Sequence, residues 1–232
     1  MIVAYTSAQI RAAEAPLLAA GVPLMRRASE ALAREVRGLL DARHRVGRPA
    51  VLALVGAGNN GADALYACAI LAADGVDVAI VRTADRVHDA ALEAALAASA
   101  REAPPREVRR LAASVDLVVD GILGTGTGAG TGTALRGVAR DVVADVLDAA
   151  PAVTVVAVDL PSGTGPDDGS VPDPVVLRAT VTVTFGGVKA GLVRAPGSEY
   201  AGEVRLVDIG LGDELAKLTP VLRYDELGDP ER

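Results

Sequence analysis

Only one cysteine, Cys68, two histidines, one phenylalanine and no tryptophan occur among 232 residues. A lone cysteine excludes a disulfide framework within the chain. No apolar stretch reaches the roughly 18 residues that a membrane span needs, and no charged segment followed by an apolar one opens the sequence as a signal peptide would. A soluble cytoplasmic protein with no membrane partner is the expectation. Positive charge is also in deficit. The net charge of −7 argues against nucleic acid as a partner, because a phosphate backbone needs a clustered basic face. Any phosphate must be held locally. Lysine is the scarcest charged residue, since Lys189 and Lys217 are the only two among 23 basic residues, so each stands out from the arginine background.

What is abundant is Ala, Val, Leu and Gly, in a pattern that alternates strand with helix. At 232 residues the chain is long enough for one domain with a sizeable core. Before the alternation starts, Thr6 or Ser7 caps a helix through Gln9, Ile10, Ala13 and Leu17, which Pro16 should kink or shorten. A second helix, over about 23–40, carries Leu24, Ala28, Leu32, Val36 and Leu39 at helical spacing and reads as a packing or dimer arm. A polar connector over 41–49, holding His44, closes this helical arm of residues 1–49.

From residue 50 the apolar runs at 50–55, 77–82, 117–123 and 153–160 read as buried strands. Helices are expected between them over about 61–74, 87–101 and 135–149. Near-continuous Val/Leu/Ile strands separated by helices define a mostly parallel sheet covered on both faces, a Rossmann-like three-layer α/β/α sandwich. Two further runs, 179–185 and 202–210, lack helices long enough for crossovers and are expected to finish the sheet as closely connected strands. The core then spans 50–210, and 211–232 is a polar tail.

Parallel sheets bind ligands beyond the carboxyl ends of their strands, and three strand ends here carry oxygen-bearing side chains beside glycine. The first is Gly56-x-Gly58-x-x-Gly61, which matches the dinucleotide fingerprint in spacing and is followed by Asn59, Asn60 and Asp63. Asn60 with Asp63 also suits a helix cap with an acid in the first turn. A carboxylate where a pyrophosphate would sit disfavours an ordinary dehydrogenase. Arg82, after the second strand, is placed to meet a 2′-phosphate or to serve as a plain surface arginine. The third strand ends in Asp120 and a Gly/Thr loop over 124–133, either an anion-binding nest of backbone N–H groups or a flexible loop. The fourth ends in Asp159, Pro161, Ser162 and Gly163. Ser162 lacks the Gly-x-Ser-x-Gly elbow, and neither His44 nor His88 is placed as its base, so a serine hydrolase is disfavoured. Cys68 lies among apolar helix residues, as core cysteines do. Lys189, flanked by glycines after a strand, is a local cation for a ligand phosphate, a developing charge or solvent. Asn60, Asp120 and Ser162 offer oxygen without sulfur or imidazole, which suits a hard cation, and one carboxylate among neutral donors suits a monovalent one.

The sequence resembles the NAD(P)H-hydrate epimerase family over nearly its whole length. The resemblance rests on QIRAAE, LMRRAS, GAGNNGAD, VDGILGTG, VDLPSG, TVTFGGVKAGL and VRLVDIGL in this order. It implies a Rossmann-like fold and epimerisation of hydrated NADH and NADPH at C6 of the nicotinamide ring, a metabolite repair reaction. It further implies substrate contacts from Asn59, Asn60, Gly61, Ala62 and Asp63, from Gly124, Thr125, Gly126, Thr127, Gly128, Ala129 and Gly130, and from Asp159. Asp159 is the implied acid–base, and Asn60, Asp120 and Ser162 are the implied ligands of a potassium ion. A homodimer and a functional link to an NAD(P)HX dehydratase are implied as well. Three positions depart from the family pattern. Ala62 and Ala64 replace glycines and should place methyl groups near the ligand, and Gly165 replaces an acid. They support a second expectation, a nucleotide-binding or scaffold module that keeps the pocket and has lost turnover.

Overall fold

The computed structural model describes residues 2–43, 47–126 and 132–224, without the side chains of Ile2 and Tyr224. His44, Thr127, Gly128, Ala129, Gly130 and the end of the tail lie outside the described residues. The chain opens with a strand, β1 (Ile2–Tyr5), too short to show an alternating pattern in the sequence. Helix α1 (Ser7–Ala19) follows, and Thr6 caps it. Thr6 Oγ1 accepts from the Gln9 N–H at 3.2 Å while Gln9 Oε1 accepts from the Thr6 N–H at 2.9 Å, which satisfies two otherwise orphaned donors reciprocally. Pro16 lies within α1, and the helix ends one turn later. Helix α2 (Leu24–Asp41) buries Leu24, Ala28, Leu32, Val36 and Leu40.

The alternating segment then forms β2 (Ala50–Val55), α3 (Asn59–Ala73), β3 (Asp77–Arg82), α4 (Asp89–Ala97), β4 (Arg101–Glu102), α5 (Val108–Ala112), β5 (Leu117–Gly121), α6 (Gly137–Ala149) and β6 (Thr154–Val158). It continues through β7 (Val181–Phe185), β8 (Val188–Lys189), α7 (Ser198–Ala201), β9 (Glu203–Val207), α8 (Gly212–Leu215) and β10 (Leu222–Tyr224). Seven strands make one parallel sheet in the order β4-β3-β2-β5-β6-β7-β9. Helices α1 to α4 bury their apolar side chains on one face, with Leu32, Val36, Leu65 and Leu71 at the centre. Helices α5 and α6 cover the other face through Leu111, Val142, Val143 and Val146. Among the described residues no helix is long and apolar enough to cross a membrane.

The apolar stripe of α2, read as a packing or dimer arm, packs against α3 of the same chain. Three expectations need correction. The helix expected over 87–101 is shorter, because Ser99 takes a positive φ of 78° and Arg101–Glu102 pair with β3 as an edge strand. Strands β7 and β9 are not closely connected; each runs parallel to its neighbour, and the crossovers are an irregular stretch over 159–180 and a segment over 186–202 that holds β8 and the one-turn α7 in place of a long helix. The tail is not wholly a free end, since β10 pairs antiparallel with β1. On its other side β1 pairs in parallel with β8, Tyr5 opposite Lys189. This second, three-stranded sheet fixes the backbone that carries Lys189.

Candidate functional site

In the main sheet β2 has β3 on one side and β5 on the other, so the chain reverses its winding direction there. Such a switch point opens a crevice at the carboxyl ends of the strands. The glycines of the first loop let the walls of that crevice close. A Cβ on Gly56 would overlap the Ile122 carbonyl, and one on Gly61 would overlap the Gly56 carbonyl. Gly58, by contrast, has open space beside it. Helix α3 starts at Asn59 with Gly58 as its cap and no side-chain cap bond. Asn60 is therefore inside the helix rather than at its cap, and Asp63 lies beyond the first turn. The capping explanation of this pair is excluded, and both side chains are left for other work.

Asn60, Asp120 and Ser162 meet around the backbone of Leu123. Asn60 Nδ2 donates to the Leu123 carbonyl at 2.9 Å, and the Ser162 hydroxyl donates to the same oxygen at 3.2 Å. The Leu123 N–H in turn donates to Ser162 Oγ at 2.8 Å. Asp120 Oδ2 accepts from the Ser162 N–H at 2.9 Å and Oδ1 from the Ile122 N–H at 3.4 Å. Burial raises the Asp120 pKa above the usual carboxylate value, and the donors from Ser162 and Ile122 oppose the rise. Among the described residues no three His, Cys, Asp or Glu side chains are grouped to hold a metal ion; this cluster brings one carboxylate and neutral oxygens.

Beside this cluster a cavity of about 700 Å³ is walled by α1, α2, the start of α3 and the tips of β5 and β6. Asn59, Asn60, Asp63, Gly124, Thr125, Gly126, Asp159 and Lys189 all line it. Gly61 and Ala62 do not: both are buried under the loop, and the Ala62 methyl, like that of Ala64, points into the helix-side core. These two alanines thus place no methyl group against the cavity. The Gly165 position is occupied in a different way, since a Cβ there would overlap Asp168 Oδ1. Asp168 itself accepts from the Ser170 N–H at 2.9 Å and tightens the turn.

Asp159 directly follows β6 in the left-handed region, with φ of 67°, a conformation that few residues other than Gly, Asn and Asp adopt and that clusters at functional sites. Its Oδ1 accepts from the Lys189 ammonium, from Thr184 Oγ1 at 3.1 Å and from the Phe185 N–H at 3.3 Å. Oδ2 has no such partner among the described residues and is the oxygen available to the cavity. Lys189 is 2% exposed, and it also donates to Thr184 Oγ1 at 3.1 Å and to the Phe185 carbonyl at 2.9 Å.

One acid in this cavity was not anticipated. Glu14 of α1 is half-buried on the cavity wall, and desolvation raises its pKa, with Lys189 opposing and Asp159 adding to the rise. Its signal was present in the sequence: Glu14 stands four residues after Ile10, on the apolar face of α1. Asp63 is the more extreme case. Burial, then the charges of Asp159 and Glu14, push its pKa well above the usual carboxylate value against the opposing Ser29 and Lys189, and among the described residues its buried Oδ1 has no hydrogen-bond partner.

The remaining candidates resolve simply. Arg82 Nε donates to Glu102 Oε1 at 2.7 Å, beside a separate, more open hollow of about 800 Å³. His88 caps α4 by accepting from the Ala91 N–H at 3.2 Å. Cys68 is fully buried, and burial pushes its thiol up to about 12. Lys217 pairs with Glu214 on the surface at 2.7 Å.

A parallel α/β sheet with an acidic cavity at its switch point defines a small-molecule enzyme of Rossmann-like architecture. The YjeF-related protein N-terminus family matches residues 21–191, and the chain belongs to that family. It is 55% identical over 226 residues to the NAD(P)H-hydrate epimerase of Clavibacter sepedonicus, covering 94% of each chain. It is 51% identical to the NAD(P)H-hydrate epimerase of Microbacterium testaceum, covering 95% of this chain and 84% of that one. The bifunctional NAD(P)H-hydrate repair enzyme Nnr of Mycobacterium tuberculosis is 44% identical over 89% of this chain, which spans 41% of that longer protein. Among solved structures, yeast ynu0 superposes with a TM-score of 0.74 at 16% identity over 98% of this chain and 97% of that one, a likeness of fold.

Proposed function

We propose that the protein is an isomerase that interconverts the two epimers of hydrated NADH and NADPH at C6 of the nicotinamide ring, as metabolite repair, with Asp159 as acid–base. The observation that carries the assignment is Asp159 itself: three donors on Oδ1 fix the carboxyl at the cavity edge, and its other oxygen stays available to a ligand. The substrate carbon bears a hydroxyl and is bonded to the ring nitrogen. Loss of the hydroxyl as water, assisted by the nitrogen lone pair, leaves a planar iminium that water can rejoin from either face. A carboxylate at the cavity edge takes the proton of the returning water and, by microscopic reversibility, surrenders it in the opposite direction, an effect on the order of 10²–10⁴-fold.

Asn59, the loop at Gly124, Thr125 and Gly126, and the open side of Gly58 form the wall along which the nucleotide part of the substrate lies, with backbone N–H groups as the source of local phosphate binding. The proposed cation is potassium. Asp120, Ser162 Oγ, the Leu123 carbonyl and the Asn60 amide suit it, provided that Asn60 turns its oxygen rather than Nδ2 toward the site. One charge among neutral oxygens fits a monovalent ion. The ion would add fixed positive charge at the strand tips and hold the β5 and β6 loops together. A homodimer and a separate dehydratase acting on the same hydrates complete the reading, the second supported by the repair enzymes in which a related sequence is part of a longer chain.

The test uses chromatographically separated epimers, with the rate read above their unassisted interconversion. The wild-type protein accelerates equilibration, and Asp159→Asn loses about 10²–10⁴-fold of that acceleration while still binding NADP⁺. An unchanged Asp159→Asn rate removes that residue from the chemistry. A wild-type rate equal to the background replaces the epimerase with a binding module of the same fold.

A further inference from the structure

The cavity holds more carboxyl groups than its cations can neutralise. Glu14 from α1, Asp63 from α3 and Asp159 from the tip of β6 all line it, and Lys189 is the buried cation among them. Arg11, the other basic residue on the cavity wall, lies at the exposed rim, where its guanidinium donates to the Thr125 carbonyl at 3.0 Å. Lys189 is committed to Asp159. Among the described residues nothing comparable serves Asp63. The Ser29 hydroxyl lies beside its carboxyl but donates to the Met25 carbonyl at 2.8 Å, and among the described residues Oδ1 is buried without a partner. A buried, unpaired carboxylate is costly enough that such a group keeps its proton instead.

Resting on the epimerase reading, we infer that Asp63 and Asp159 divide the acid–base work, Asp63 supplying the proton to the departing C6 hydroxyl and Asp159 accepting the proton of the water that returns. The bonds balance as follows. The Asp63 carboxyl proton passes to the C6 oxygen as the C–O bond breaks, the nitrogen lone pair becomes the second bond to C6, and water departs, leaving Asp63 a carboxylate. Water then adds to the planar cation, the C=N π pair returns to nitrogen, and the extra proton of that water passes to Asp159. One proton has moved from Asp63 to Asp159 through the substrate. Reverse turnover or exchange with solvent restores it. Between the two steps the iminium is surrounded by Glu14, the newly ionised Asp63 and Asp159, which stabilise its positive charge in a water-poor cavity. Two neighbouring carboxyl groups in unlike surroundings, one held by a buried lysine and one with an orphaned oxygen, are the general mark of an acid and base pair.

The groups that face Asp63 are Glu14 on α1, Ser29 on α2, Asp159 just after β6 and Lys189 on β8, with Arg11 of α1 at the cavity rim. The test compares wild type with Asp63→Asn, Asp63→Ala and Glu14→Gln. In Asp63→Asn, nearly the same shape without a transferable proton, epimerisation falls about 10²–10⁴-fold, the alkaline limb of the wild-type pH–rate profile disappears, and NADP⁺ affinity stays within about threefold. Glu14→Gln removes a negative neighbour of Asp63, so the alkaline limb moves to lower pH. Formate, entering the space vacated in Asp63→Ala, restores part of the rate. Difference infrared spectroscopy of the wild type shows a protonated-carboxyl band at neutral pH that Asp63→Asn lacks, a readout independent of turnover. Asp63→Asn with its rate and alkaline limb intact, or a wild type without that infrared band, overturns the division of labour while Asp159 and the epimerase reading stand. An inactive wild type overturns both.

Discussion

Two polar clusters sit at neighbouring strand tips and are built in opposite ways. Around Leu123, the side chains of Asn60, Asp120 and Ser162 each find backbone partners, and the 1% exposed Asp120 accepts from two N–H groups. Across the cavity, Lys189 pairs with Asp159 while Glu14 and Asp63 lie on the same wall, and one buried oxygen of Asp63 has no partner among the described residues. Buried polar groups are normally satisfied, so the exceptions call for an explanation. Here the satisfied cluster joins two loops, whereas the unsatisfied one keeps an unmet demand for a ligand or a proton. Proteins break local rules of this kind mainly where function requires it.

Removing Lys189 should produce the largest effect. Its ammonium is buried and holds Asp159, Thr184 and the Phe185 carbonyl together. Taking away one partner of a buried ion pair leaves the other uncompensated, which costs about 3–5 kcal/mol. Lys189→Met is therefore expected to lose stability on that scale in urea denaturation. A loss under about 1 kcal/mol would show that Thr184 and the Phe185 N–H suffice to hold Asp159, as neutral donors can in a network of this size.

Ser162→Ala probes the satisfied side and should cost less. It deletes the acceptor of the Leu123 N–H and one donor to the Leu123 carbonyl but leaves the Ser162 N–H on Asp120. The loss should be about 1–3 kcal/mol, as for a buried group left without its partner. If this cluster also holds potassium, the wild type melts at a higher temperature in potassium chloride than in choline chloride, and Ser162→Ala abolishes the difference. Equal wild-type melting temperatures in both salts would leave the cluster with its hydrogen-bonding role alone.

The strands and the switch point were readable because long Val/Leu/Ile runs and glycine loops are signals local to the chain. Asn59, Asn60, Asp120, Asp159 and Lys189 each follow or end such a run, so the sequence pattern already placed them on one rim. Glu14 was missed because its meaning depends on where α1 packs, and β1 and β8 because two to four residues carry no periodicity. The roles of Ala62 and Ala64 were misjudged for the same reason. A helix start two residues earlier than expected turns both methyl groups into the core, away from the cavity.

The finest comparison sets Asp63 against Asp120, since burial raises both in the folded chain. In each case the native state retains a proton that the unfolded chain has already lost, so stability falls as pH rises from the unfolded carboxylate value through the raised folded value. Above that window the penalty is complete. Asparagine removes the penalty at either site, but only one site can accept the amide. Asp63 Oδ1 has no donor to lose among the described residues, so Asp63→Asn should gain about 0.5–1 kcal/mol at neutral pH, the scale of single stabilising changes, and flatten the pH dependence. At Asp120 an amide N–H₂ would face the N–H of Ser162 or of Ile122, and two donors cannot bond each other. Asp120→Asn should therefore lose stability across the same pH range despite shedding a buried charge. Thermal unfolding of both variants between acid and neutral pH measures the contrast. A loss of stability in Asp63→Asn would mean that its orphaned oxygen is bonded in the folded protein, and would close the distinction between the two clusters.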